Sequence, residues 1–302
     1  METKRSDTAH YHLPGLFEFY EFYRVFLPFF RENRECFYEW CDIGSIYGAP
    51  PGCIWGGGRI EESDVEAPRV LELMKEHGIS ARLTFSNSLL TEKHLHDKKC
   101  NEMCALFEHC DNISCGVIVH SDLLLRYLQS SYPKLYLVSS ATKVITDFQG
   151  FAEELNRGEF RYVVPDFRLN KQMDCLNQLT SSQKDKVELL CNECCYFGCK
   201  DRKKCYEAVS RKNLGERTAF KCKAPEGEEG YRFYKAMRNP GFIGTEDIVG
   251  TYMPAGFCNF KIEGRGLGSA LLLEFILFYM TKPEHHMYVR ERIYLDNMLD
   301  LF

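Results

Sequence analysis

Four cysteines give the sequence its strongest chemical signal. Within residues 191–222 (CNECCYFGCKDRKKCYEAVSRKNLGERTAFKC), Cys195 and Cys199 are separated by three residues, Cys205 follows after five more and Cys222 after sixteen. Thiolates at such spacings can close around a metal, and the choice lies between zinc and a [4Fe–4S] cluster. Spacing alone does not separate the two. Six of the chain's fifteen cysteines fall in this stretch, so Cys191 and Cys194 show that not every thiol there need ligate. Cys258 stands as a reserve ligand, and the remaining cysteines read as small core residues.

A second set of chemically able residues ends one apolar run after another. Asp166, Glu193, Lys261 and Glu263 offer an acid, a base or a cation. Asn87, Arg168, Asn192 and Arg265 offer polar contacts to a substrate, the arginines to an anionic group. Any one of these is more often a cap or loop residue than a catalyst, and Ser121 or Asp122 reads simply as a helix N-cap. The turn Gly264-Arg265-Gly266-Leu267-Gly268-Ser269 opens a helix. Backbone N–H groups at Gly266 and Gly268 could hold a phosphate or carboxylate there, and a plain tight turn is the equal alternative. Residues 200–223 carry nine Lys or Arg against three Asp or Glu, which suits a polyanion such as RNA or, more blandly, a solvated helix face. Trp55 and the glycines after it line a pocket or form a turn around a buried ring.

These residues need a frame, and the hydrophobic pattern supplies one. Short apolar runs at Ile43–Ile46, Ile79–Phe85, Gly116–Val119, Leu135–Val138, Tyr162–Val164, Val187–Leu190, Phe242–Ile243 and Phe257–Ile262 read as strands. Helical periodicity fills the intervals, as over Val65–His77, Lys99–His109, Asp122–Gln129, Asp147–Asn156, Lys203–Val209 and Ser269–Met280. Continuous apolar strands alternating with helices imply a parallel sheet buried on both faces, and eight units imply closure. The expected fold is α/β: a single TIM-like (β/α)8 barrel over residues 41–302, with a cysteine-rich loop (191–222) after its sixth strand. Residues 1–40 read as an N-terminal aromatic helical extension, since Leu16–Phe30 repeats large rings every three or four positions. In a barrel the polar strand ends converge on one mouth.

Bulk properties narrow the classes. The 302 residues are 45% hydrophobic and 27% charged, as in an ordinary globular protein, and the net charge of −5 argues against a generic nucleic-acid coat. Residues 1–10 read as no secretory leader, and the apolar stretch Ala270–Met280 contains Glu274 and is too short to span a bilayer. The expectation is a cytoplasmic protein away from membranes, whose cysteines are thiols or metal ligands and not disulfides.

Asn192-Glu193-x-Cys195-x3-Cys199, reached from the run KVELL, resembles the cysteine segment of the peptidase U32 family and its barrel relatives. So do Asn239-Pro240, Glu246-Asp247-Ile248 and the ending FKIEGR at Phe260–Arg265, with VVPDFRLN at Val163–Asn170 adding Asn170 to the substrate-binding set. The resemblance covers about the last half of the chain. It implies a TIM-like barrel, a [4Fe–4S] cluster on four cysteines, and oxygen-independent hydroxylation of RNA bases or a quinone precursor, with a partner protein of the U32 type. The characterised members space their four cysteines differently.

Three functions follow as expectations. The first is an iron–sulfur hydroxylase or modifying enzyme acting on an RNA base or a small aromatic or anionic substrate. The second is a peptidase, although the sequence contains neither HExxH nor GxSxG, which leaves a cysteine paired with His120. The third is a non-catalytic barrel in which zinc staples a loop and the basic helix binds a partner.

Overall fold

A computed structural model describes residues 7–57, 65–225, 231–264 and 266–295. Eight parallel strands form one sheet: β1 (Ala9–Pro14), β2 (Cys41–Gly48), β3 (Ser80–Phe85), β4 (Gly116–Val119), β5 (Tyr136–Ser139), β6 (Phe160–Val163), β7 (Glu188–Leu190) and β8 (Asn259–Lys261). Their order is β6-β5-β4-β3-β2-β1-β8-β7. A single parallel bridge between Val163 and Val187, with Val163 N donating to Lys186 O at 2.8 Å, joins the two ends into a nearly closed barrel.

Alternation along each strand makes two apolar layers. On β4, Val117 and Val119 join the large core under the helices, whereas Ile118 points inward and packs with Tyr47, Val138, Val164 and Leu190. The covering helices are α1 (Tyr20–Glu32), α2 (Ala67–His77), α3 (Lys98–Glu108), α4 (Asp122–Ser131) and α5 (Phe148–Asn156). Two short turns follow, α6 (Met173–Leu176) and α7 (Ser181–Lys184), then α8 (Arg202–Asn213), α9 (Phe233–Met237), α10 (Thr245–Asp247), α11 (Ser269–Met280) and α12 (His286–Arg290). Their starts follow the chemistry of the chain. Ser121 accepts from Leu124 N and caps α4, and Asp147 accepts from Gly150 N and caps α5. Gly78, with φ of 66°, ends α2 in the left-handed conformation that glycine adopts without penalty.

Two expectations about the strands are corrected. The first barrel strand lies inside the supposed helical extension: β1 sits between β2 and β8 in mid-sheet. Its sequence, AHYHLP, hid it, because the inward-facing positions carry histidine while Ala9, Tyr11 and Leu13 face the helices. Phe242–Ile243, counted as a strand, forms no ladder. Ile243 N donates once to Cys191 O, and the residues turn away into α10. The strand count of eight therefore survives with one member exchanged, and the cysteine-rich loop follows β7. The aromatic helix itself is α1, and it packs on the domain's own core through Phe22, Tyr23, Phe26 and Phe30.

Candidate functional site

The barrel interior holds a buried charge cluster below its mouth. Glu188, at the start of β7 and 0% exposed, receives Arg82 NH1 from β3 at 2.5 Å and Lys261 Nζ from β8 at 3.0 Å. Burial pushes the Glu188 carboxyl up, but Arg82 and Lys261 outweigh it and hold it well below the usual carboxylate range. His12 on β1 lies 3.7 Å from the same carboxylate. Burial, with Arg82 beside it, keeps its pKa well below the usual imidazole value, so it is neutral. Lys261 Nζ also lies 3.6 Å from the centre of the Tyr47 ring.

Above this layer, between β6 and the cysteine segment, two arginines clamp two carboxylates. Asp166 caps the turn after β6 and takes a fork from Arg168, Nε to Oδ1 at 2.6 Å and NH2 to Oδ2 at 2.9 Å. Arg168 NH1 then donates to Cys199 O at 2.9 Å. Arg202, the first residue of α8 and nearly fully buried, pairs with Glu193 Oε2, lies 3.4 Å from Asp166 and donates to Tyr206 OH at 2.8 Å. Glu193 Oε1 accepts from Cys195 N at 2.9 Å. The cysteine segment is thus held by its backbone to a charged scaffold.

Three asparagines in the segments that follow the strands are braces. Asn192 Oδ1 accepts from Glu263 N at 2.8 Å and its Nδ2 donates to Glu263 O at 3.1 Å, tying the exit of β7 to that of β8. Asn170 Nδ2 spans Leu190 O and Gly241 O, each at 2.8 Å. Asn87 Nδ2 donates to Ile54 O and Ser210 O, joining the loop after β2 to α8. Trp55 is the buried ring of that loop, with Nε1 donating to His94 O at 2.7 Å. The backbone there is close enough to β3 that a Cβ on Gly57 would lie 2.0 Å from Ser86 O.

Over the strand ends opens a cavity of about 1270 Å³. Cys195, Cys199, Cys205 and Cys222, the four proposed ligands, all line it, as do Glu193, Lys261 and Glu263. Burial raises the Cys195 thiol to about 12 against the opposing pull of Arg202. Among the described residues, only Glu193, Cys194 and Glu263 form a set of three ligand atoms mutually within 4.8 Å. Cys194, which sequence reasoning set aside, is in that set, and no three of the four chosen thiols come together as closely.

The remaining candidates divide clearly. Asp166, Arg168, Asn87, Asn170 and Asn192 do not line the cavity and are occupied in holding it together. Gly266 and Gly268 have φ of 74° and 85° and lead into α11. Arg265 lies outside the described residues. Cys258 precedes β8, at the opposite end of the barrel, and accepts from Asn259 Nδ2, so it is no reserve ligand for the mouth. Sequence reasoning missed Arg202, Tyr206 and Tyr231. Arg202 left a signal: an arginine opening a helix opposes the dipole and needs carboxylate partners nearby.

No family model matches the chain, and no curated protein matches it. A solved U32 peptidase structure does, at 14% sequence identity, with a TM-score of 0.52 over 87% of this chain and 94% of that one. Among the described residues no helix is long and apolar enough to cross a membrane. At that identity the likeness is one of architecture, and it establishes that this chain carries the α/β barrel seen in the U32 peptidase.

Proposed function

We propose that the barrel mouth is the active site of an iron–sulfur enzyme. In this reading Cys195, Cys199, Cys205 and Cys222 hold a [4Fe–4S] cluster, and the substrate is an RNA base or a small aromatic or anionic molecule that is hydroxylated or otherwise modified. One observation carries the reading: four cysteines from a loop, from α8 and from the chain beyond α8 line a single cavity at the strand ends. The donor set fits. Tetrahedral zinc, with Zn–S bonds of about 2.3 Å, needs thiolates about 3.8 Å apart, closer than any three of these sulfurs lie. A cluster binds each thiolate to a different iron and spreads them wider. When bound, it would supply one-electron redox chemistry.

The chain's own residues have separate tasks. Arg202, through Glu193, fixes the Cys195 amide, and Arg168 fixes the Cys199 carbonyl, so the segment is oriented before any ligand arrives. Lys261 contributes a cation at the floor. Tyr196 and Tyr234, each 51% exposed, stand at the rim with Lys200 and Arg238, where a base could stack and a phosphate could pair. The peptidase reading has less support, because His120 Nδ1 bonds Thr142 Oγ1 at 2.9 Å and not a cysteine.

Anoxic purification and reconstitution test the proposal. The expected protein is brown and binds about four irons with matching sulfide, and Cys195→Ser and Cys199→Ser lose them while Cys258→Ser does not. One equivalent of zinc, with no iron taken up, would count decisively against it.

A further inference from the structure

Two hydroxyl groups at the mouth find no partner among the described residues. Thr84 Oγ1 and Ser86 Oγ are buried on residues 5% and 2% exposed, and no described group hydrogen-bonds either. The residues are two apart along β3 and its continuation, so they share a face. That face is the inner one, because Arg82, two residues earlier, reaches Glu188 inside the barrel. Both residues line the cavity. Buried hydroxyls left unpaired are costly and uncommon in native proteins.

The backbone that carries them cannot move to find a partner. Gly57 packs against Ser86 O so tightly that no side chain fits between them, and Asn87 N donates to Trp55 O at 3.0 Å. A new partner must therefore come from the cavity side, by a staggered rotation of each side chain toward it. After β5, Ser140 Oγ accepts from Thr142 N at 3.2 Å and from Thr142 Oγ1 at 2.9 Å, and the hydroxyl of Thr142 is bonded in turn by His120. Ser140 also lines the cavity, and its own O–H is left to donate. Between these hydroxyls, Tyr47, Ile118 and Leu190 form an apolar floor. The formal charges around this sector are paired, including Lys261, whose Nζ lies 3.6 Å from the centre of the Tyr47 ring. Arg82 and Lys261 are matched by Glu188 below, and the Asp166, Arg168, Glu193 and Arg202 group lies on the β6–β7 side.

We infer that the β2–β5 sector of the mouth is a subsite for a flat, uncharged ring with carbonyl and N–H groups on its edge, the cyclic-amide class. Thr84 and Ser86 hydrogen-bond the edge, and Tyr47, Ile118 and Leu190 lie under the face. The inference deepens the reading of the mouth as a substrate site and rests on it, but it needs no metal.

The test is a titration of the full chain with 2-pyridone followed by ligand-observed NMR, with benzoate as a charged ring of similar size. It is repeated for Thr84→Val and Ser86→Ala, and the melting temperature of each variant is recorded. The expected result is saturable 2-pyridone binding, at least about tenfold weaker binding of benzoate, and a loss of about three- to tenfold in each variant. Melting temperatures should hold or rise, since an unpaired polar group is removed. No 2-pyridone binding, benzoate binding as tight, or binding indifferent to both substitutions overturns the subsite. Trapped water as the true partner would show itself as lower melting temperatures with unchanged binding, and overturns it too. Running the titration beside the iron determination separates the two readings. Ring binding by protein that takes up no iron leaves the subsite standing and removes the cluster, and iron uptake without ring binding does the reverse.

Discussion

Replacing Glu188 by glutamine tests how the interior of this barrel is held. The carboxylate is 0% exposed and is the common partner of Arg82 at 2.5 Å and Lys261 at 3.0 Å. Glutamine keeps the shape but removes the charge, leaving two buried cations with no anion between them. Breaking a buried pair from one side costs about 3–5 kcal/mol, against a total stability of about 5–15 kcal/mol for a typical domain. The assay is urea unfolding of both proteins from pH 8 to pH 3, read at constant m-value. The sign of the pH effect follows from the depressed carboxyl. Its stabilisation is fully present above the unfolded-state pKa, about 4.3, and is lost as pH falls through the lower folded value. The Glu188→Gln penalty should therefore be flat from pH 8 to about 5 and shrink below about 4.3. A penalty under about 1 kcal/mol, or one that grows as the solution is acidified, refutes the ionised, doubly paired Glu188.

His120 gives a pH effect with a different window. Burial, with Lys143 and Lys203 nearby, lowers it to about 4, so the unfolded chain binds its proton first. Stability should fall as pH drops from about 6.5 toward 4, by up to about 3 kcal/mol, and His120→Gln should remove that part of the slope in parallel thermal melts. Arg202→Met strands Glu193 without its cation. A loss of about 3 kcal/mol is expected, together with faster amide exchange at Cys195, whose N–H that carboxylate accepts. Unchanged exchange would mean that the cysteine segment is held by something else. Gly57→Ala drives a methyl into the Ser86 carbonyl. Overpacking of about 1–3 kcal/mol should appear in unfolding, and the Trp55 fluorescence should change as the loop is displaced; a neutral substitution would show that this contact is loose.

The architecture was legible because parallel strands buried on both faces must be short and apolar, and seven of the eight announced themselves that way. β1 did not, because its inward positions belong to the charge cluster: His12 answers Glu188, so apolar and polar residues alternate as in a surface strand. Phe242–Ile243 misled for the opposite reason, being apolar but lying between a turn and α10, with a single backbone bond from Ile243 N to Cys191 O in place of a ladder. The polar strand ends do open on a cavity, yet most of those residues are braces. A one-dimensional pattern shows that Asn87 and Asn192 follow strands and that Asn170 lies in the segment after another. It cannot show that each spends its amide on backbone from distant segments. Arg202 signalled a need for carboxylates by opening a helix, but not which ones, because its partners Asp166 and Glu193 sit in the separate segments that follow β6 and β7.

That occupancy bears on which chemistry the site can support. A general acid or base has to exchange a proton with substrate. Asp166 has both oxygens engaged by Arg168, and Glu193 has one oxygen on Arg202 and the other on the Cys195 amide. Using either carboxylate would require displacing a buried guanidinium, at several kcal/mol before any bond is made. Hydrolysis driven by these two groups is thereby disfavoured. The cysteine segment itself is fixed through its backbone, by Arg168 at the Cys199 carbonyl and by Glu193 at the Cys195 amide. Geometry therefore weighs against Asp166 and Glu193 as the acid and base of a hydrolysis.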